Sequence, residues 1–178
     1  MSFRKLLHPR AIVILLLLSG SRILAAGSTP PKYRLHLYNL HTGERLNTVY
    51  RVGDRYETAS IAQLDYFLRD YRTGGVRDYD LREFDLLHDL MVRLGRPNGE
   101  IDIVCGYRTQ RTNQWLREHG HAVALRSQHI QAKAIDIRVP GLTAAKVRDA
   151  ALALHRGGVG YYPESDFVHV DVGRVRRW

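Results

Sequence analysis

The segment Phe167-Val168-His169-Val170-Asp171-Val172 constrains the fold more than any other stretch of the chain. Its residues alternate with a period of two. As a strand it sends Val168, Val170 and Val172 to one face, and Phe167, His169 and Asp171 to the other. One face must lie against a core while the other holds a histidine and a carboxylate side by side, which excludes an all-helical fold. Two more short runs read as buried strands, Ile101-Asp-Ile-Val-Cys105 and Ala132 to Val139, and the second carries Asp136 between Ile135 and Ile137. An unpaired carboxylate in that setting is costly, so Asp136 requires a cation or a set of donors.

The remaining elements follow from local patterns. Tyr33 to Tyr38 alternates, Asn39 to Gly43 turns, and Arg45 to Val52 is extended again, which makes a hairpin. Ser60 caps a helix with Ile61, Leu64, Phe67 and Leu68 at helical spacing. Asp80 and Glu83 form a capping-box variant that opens a second helix, stopped by Gly95 and Pro97. Thr109 starts a third helix that ends near Gly120, and Thr143 caps a fourth that runs to about His155. Gly157 to Pro163 and Phe167 to Val172 are two closing strands joined by a turn. Helices come mainly first and strands mainly last, so the expected class is α+β, with a small antiparallel sheet packed against helices.

The chain has 178 residues, enough for one domain, expected over residues 33–178 after a linker at 27–32. The apolar run Ala11 to Leu18 is about half of the ~20 residues a spanning helix needs. Arg4, Lys5 and Arg10 precede it and small residues follow it, so residues 1–26 read as a secretory signal peptide. An uncleaved anchor is the alternative, because Leu24 spoils the small-residue pattern before a cut after Ala26. Cleavage implies export to the periplasm or cell envelope and no stable membrane insertion afterwards. Residues 1–26 carry four of the 27 basic side chains and none of the 18 acids, so the formal charge falls from +9 to +5. No basic block stands out, and nucleic acid is not the expected partner. Cys105 is the only cysteine, so an intramolecular disulfide is excluded; after an apolar run it reads as a buried small hydrophobe. The sequence does not specify an oligomeric state.

Six histidines beyond the leader (His36, His41, His88, His119, His121 and His155) lack a carboxylate at ligand spacing. His129 and His169 differ. With Asp136 they supply three protein ligands of the kind found in an open zinc site, whose fourth position takes water. A closed site would require a fourth protein ligand, and Cys105 is the only soft candidate. The same residues also suit a metal-free network of buried His–Asp hydrogen bonds, and spacing alone leaves both readings open.

Ser127-x-His129-x6-Asp136 followed by His169 resembles the signature of the LAS metallopeptidases, which include lysostaphin-type and D-Ala-D-Ala metallopeptidases. Cys-Gly-Tyr-Arg-Thr at 105–109 with Asn113 is similar to that group's Ser-Gly-Tyr-Arg-Ser…Asn segment. Leu40 to Glu44, Phe67 to Arg72, Gly157 to Pro163, Phe167 to Asp171 and Trp178 resemble an exported branch, that of murein endopeptidase K. The resemblance implies a hedgehog/D-Ala-D-Ala-peptidase-like fold and one Zn2+ per chain, held by His129, Asp136 and His169. It implies that Arg108 polarises the substrate carbonyl and that Ser127 binds substrate or supports the ligands. Asp166, three residues before the last ligand, is the implied general base; Asp171 is its rival, or else orients a ligand. The implied activity is hydrolysis of peptide bonds in peptidoglycan stem peptides or cross-links. The alternatives are a carboxypeptidase trimming terminal D-amino acids and a non-catalytic, zinc-stabilised wall-binding module.

Overall fold

The structure, a computed structural model, describes residues 29–120 and 123–178. The expected leader therefore lies outside the described residues. A hairpin of β1 (Lys32–Asn39) and β2 (Arg45–Val52) is followed by the short β3 (Arg55–Tyr56), α1 (Thr58–Phe67) and α2 (Leu81–Arg93). Then come β4 (Glu100–Cys105), α3 (Gln110–Glu118), a 3-10 turn (Gln128–Gln131), β5 (Ala134–Arg138) and α4 (Ala144–Leu152). The chain closes with β6 (Gly158–Tyr162), β7 (Phe167–Asp171) and β8 (Arg176–Arg177).

The class is α+β, but the sheet is larger than expected and mixed. Its eight strands lie in the order β3-β2-β1-β4-β5-β7-β6-β8. β1 pairs with β4 in parallel, because α1 and α2 fill the connection that brings the chain back in the same direction. β6 and β8 are also parallel. Helix α1 packs on β2, α2 on β1, and α4 on β6 and β7. These helices bury Leu35, Leu37, Ile101, Ile103, Ile135, Ile137, Val168 and Val170 in one cluster. Among the described residues, no helix is long and apolar enough to cross a membrane.

Capping explains where the helices begin. Asp80, Thr109 and Thr143 are N-caps, their side chains accepting from the backbone N–H groups of Arg82, Thr112 and Lys146. Two expectations fail locally. Helix α1 starts at Thr58 rather than being capped by Ser60, whose hydroxyl instead accepts from Thr48 Oγ1 at 3.0 Å. Glu83 does not close a capping box: its side chain is fully buried without a hydrogen-bond partner among the described residues, and burial holds its carboxyl well above the usual carboxylate range.

One irregularity decides what the far face of the sheet displays. Ile103 pairs with Ile137, but Cys105 pairs with Asp136, so a β-bulge inserts an extra residue into β4. Strict alternation would have placed Cys105 with Ile101 and Ile103 in the core. The bulge turns it to the opposite face, which overturns the reading of Cys105 as a core hydrophobe.

Candidate metal centre

The strand registers lay out a row of side chains across that face. Cys105 stands opposite Asp136, Asp136 opposite His169, and His169 opposite Gly160. Gly160 leaves room for a wall: a Cβ there would meet the Trp178 ring at 2.7 Å. His129 reaches the row from the 3-10 turn. Ser127 caps that turn by accepting from His129 N–H at 3.3 Å, and Ala132 ends it in the left-handed region at φ 52°. Arg108 N–H ties the turn to the end of β4 by donating to His129 O at 3.3 Å.

The hydrogen bonds around the two imidazoles fix their tautomers. His129 Nδ1 lies 2.8 Å from the Gly106 carbonyl, which can only accept, so Nδ1 carries the proton and Nε2 presents a lone pair. His169 Nε2 lies 2.9 Å from Asp171 Oδ2. Asp171 is fully buried, and although burial opposes ionisation, the donors around it hold its carboxyl far below the usual range. Those donors are His169, Arg176 through two contacts of 3.0 and 2.7 Å, and the amides of Gly158 and Gly173. Asp171 therefore accepts from His169 Nε2–H and leaves Nδ1 with a lone pair.

Three acceptors thus converge. His129 Nε2 is 3.1 Å from His169 Nδ1 and 3.3 Å from Asp136 Oδ1, and His169 Nδ1 is 2.9 Å from Asp136 Oδ1. Tetrahedral zinc with bonds of about 2.0–2.1 Å spaces its ligand atoms by roughly 3.3–3.4 Å, so the donor set fits such an ion. All three residues are buried, at 3%, 7% and 7% exposure for His129, Asp136 and His169. Without a metal, a proton must relieve the crowding of lone pairs. Burial opposes the charged imidazole, yet the Asp136 carboxylate beside it holds His129 well above its ordinary value. Asp136 is correspondingly held far below the carboxylate range: burial works against this, and His129 and His169 outweigh it.

The row opens on a cavity of about 470 Å³ lined by Arg108, Ser127, Phe167, Tyr162 and Trp178 as well as the three candidate ligands. Arg108 is only 8% exposed; it donates to Asn113 Oδ1 at 3.3 Å and to Cys105 Sγ at 3.4 Å. Its Nε is buried without a hydrogen-bond partner among the described residues. Asp166 is placed differently. It is exposed at the end of the β6–β7 turn with φ 49°, and Arg138 holds the turn by donating to the carbonyls of Ser165 and Asp166. Its neighbour Phe167 lines the cavity, whereas Asp166 itself does not. Sequence reasoning missed the Arg176 clamp on Asp171, the Gly106 carbonyl behind His129, and the place of Cys105. Its Sγ and the ligating atoms of His129 and Asp136 all lie within 4.8 Å of one another.

Two histidines and a carboxylate, buried at the floor of an open cleft with a guanidinium beside them, are the equipment of a hydrolytic metalloenzyme. The chain belongs to the Peptidase_M15_2 family, described as peptidoglycan L,D-endopeptidase MepK, which matches residues 27–178. It is a peptidase. It is 40% identical over 175 residues to the probable peptidoglycan L,D-endopeptidase MepK of Haemophilus influenzae, covering 98% of this chain and 94% of that protein. It is 37% identical over 175 residues to the peptidoglycan L,D-endopeptidase MepK of Escherichia coli K12, covering 98% and 96%.

Proposed function

We propose that the protein is an exported zinc peptidase that hydrolyses internal peptide bonds of peptidoglycan, between an L- and a D-configured residue of stem peptides or cross-links. The observation that carries this reading is the convergence of three lone pairs, from His129, Asp136 and His169, beside the buried guanidinium of Arg108. The relatives, peptidoglycan L,D-endopeptidases, suggest the substrate class and the bond. Zinc, when bound by these three residues, supplies a Lewis acid and a water acidified toward neutral pH.

The chain's own residues supply the rest. Arg108, which lines the cavity, donates to the oxyanion that develops when water adds to the scissile carbonyl. Asp171 has every oxygen engaged, so its role is to orient His169. Asp166 retains a carboxylate without a hydrogen-bond partner among the described residues, in the turn flanked by two cavity-lining aromatics, Tyr162 and Phe167. It takes the proton of the attacking water and returns it to the leaving amine. Ser127 holds His129 by capping its turn. The presence of Arg108 and a free carboxylate favours an enzyme over a wall-binding module. The mild positive charge suits acidic stem peptides.

Mass spectrometry of isolated muropeptides digested by the protein from Gly27 onward tests the proposal. Cross-linked dimers are expected to fall to monomers in the zinc-loaded protein and to survive after chelation. Loss of only a terminal D-amino acid from monomers would make it a carboxypeptidase, and full activity without metal would overturn the zinc reading.

A further inference from the structure

Cys105 has no part in that mechanism, yet it stands in the same row as the ligands. The bulge in β4 puts it directly opposite Asp136, on the side away from His169. Its sulfur lies within 4.8 Å of the ligating atoms of both His129 and Asp136. The buried Arg108 donates to that sulfur at 3.4 Å while its Nε has no partner among the described residues. As the only cysteine in the chain, it has no intramolecular disulfide to form.

Resting on the metal reading above, we infer that Cys105 is a fourth protein ligand of this centre, and that the resting enzyme is closed by its thiolate. A set of two imidazoles, one carboxylate and one thiolate is a complete tetrahedral complement for zinc and leaves no open position. On ligation the thiol proton leaves to solvent and a sulfur–metal bond forms. No oxidant or reductant is required. The closed state is latent on two counts, because the contact that steadies the sulfur also engages Arg108. Opening breaks the sulfur–metal bond and leaves the thiolate paired with Arg108, on the side where Cys105 lines a second small cavity with His41 and Tyr71. Substrate has to displace the sulfur from the metal first and then compete with it for Arg108.

Cobalt titration of the metal-free protein tests the inference directly. One equivalent of Co2+ is expected to produce both the visible bands of a four-coordinate ion and a near-ultraviolet thiolate-to-cobalt charge-transfer band. Cys105→Ser is expected to keep the visible bands, lose the charge-transfer band and bind Co2+ about tenfold or more weakly, since a soft anionic ligand is gone. Its muropeptide cleavage at saturating zinc is expected to rise several-fold. In the unsubstituted protein, stoichiometric Zn2+ is expected to slow alkylation of the thiol by iodoacetamide at least about tenfold, because the metal-bound thiolate is withdrawn from reaction. Stoichiometric cobalt binding without a charge-transfer band, or alkylation that zinc does not slow, overturns the fourth ligand and leaves the peptidase reading intact. Failure to bind Co2+ or Zn2+ at all removes both.

Discussion

Two carboxylates, half-buried Asp85 on α2 and buried Asp136 on the central strand β5, meet opposite surroundings. Beside the β2–β3 edge, Asp85 of α2 accepts from Tyr50 Oη at 2.9 Å and Tyr56 Oη at 2.6 Å, with the Arg51 guanidinium 3.4 Å away. Every acceptor there faces a donor. Burial, followed by the bond to Asp85, pushes the Tyr56 phenol up to about 12, which keeps that donor protonated across the physiological range. At Asp136 the neighbours are themselves acceptors, because the protons of both imidazoles point outward, to Gly106 O and to Asp171. A carboxylate whose two oxygens both accept from phenols needs no further partner, although the Arg51 Nε beside it makes no hydrogen bond among the described residues. A carboxylate flanked by two imidazoles instead takes up a positive charge, a proton on His129 or, in the reading proposed above, a metal ion.

His129→Ala breaks the comparison most severely: metal content and muropeptide cleavage should both be lost, while Asp85→Asn should keep both. Metal retained in His129→Ala, or lost in Asp85→Asn, would show that the two clusters had been assigned the wrong way round. Next in size is Asp166→Asn, which should retain zinc and lower turnover about 10²–10⁴-fold. Near wild-type turnover would return the proton to another group. Arg108→Ala should keep the metal and lower kcat roughly 10²–10³-fold. Asp171→Asn, which loosens the hold on His169, should weaken metal affinity about 10–100-fold, with activity partly restored by excess zinc.

The smallest effects are on stability alone. Asp85→Asn should cost about 1–3 kcal/mol in urea denaturation, the scale for disturbing buried donors. Asp70 gives a pH-dependent counterpart away from the metal residues. It accepts from Thr109 N–H at 2.9 Å, from Thr109 Oγ1 at 2.8 Å and from Arg72 N–H at 3.0 Å. Burial opposes its charge, but these bonds and one from Thr112 outweigh it and lower its carboxyl below the usual value. The stability it contributes is therefore full above the unfolded value of about 3.9 and is lost as pH falls toward the folded one. The stability gap between wild type and Asp70→Asn should accordingly be present at pH 7 and shrink below about pH 4. A gap that widens on acidification would reverse the sign.

Much of this was legible locally. Alternation at 167–172 assigned His169 and Asp171 to one face, and the caps at Asp80, Thr109 and Thr143 marked three helix starts. The suspicion attached to Asp136 came from a carboxylate between two isoleucines, and its pairing opposite His169 explains that placement. The inward turn of Glu83 was not legible, because a glutamate three residues after an N-cap has the same local pattern whether it closes a box or enters the core. Neither was the clamp of Arg176 on Asp171, which depends on β8 lying beside β6.

The sequence by itself determined which residues could share a face within each strand, since side-chain alternation is a property of the backbone at neighbouring residues. It also determined the chemistry on offer: two imidazoles, a buried carboxylate, a guanidinium and one thiol. Only the tertiary structure decided which of these groups meet. Register across β4, β5 and β7 is a relation between distant segments, and a single extra residue in β4 moved Cys105 from the core side to the metal side. The hydrogen-bond partners of His129 and His169 were decided the same way, by a carbonyl and a carboxylate brought from elsewhere in the chain or held by groups that were.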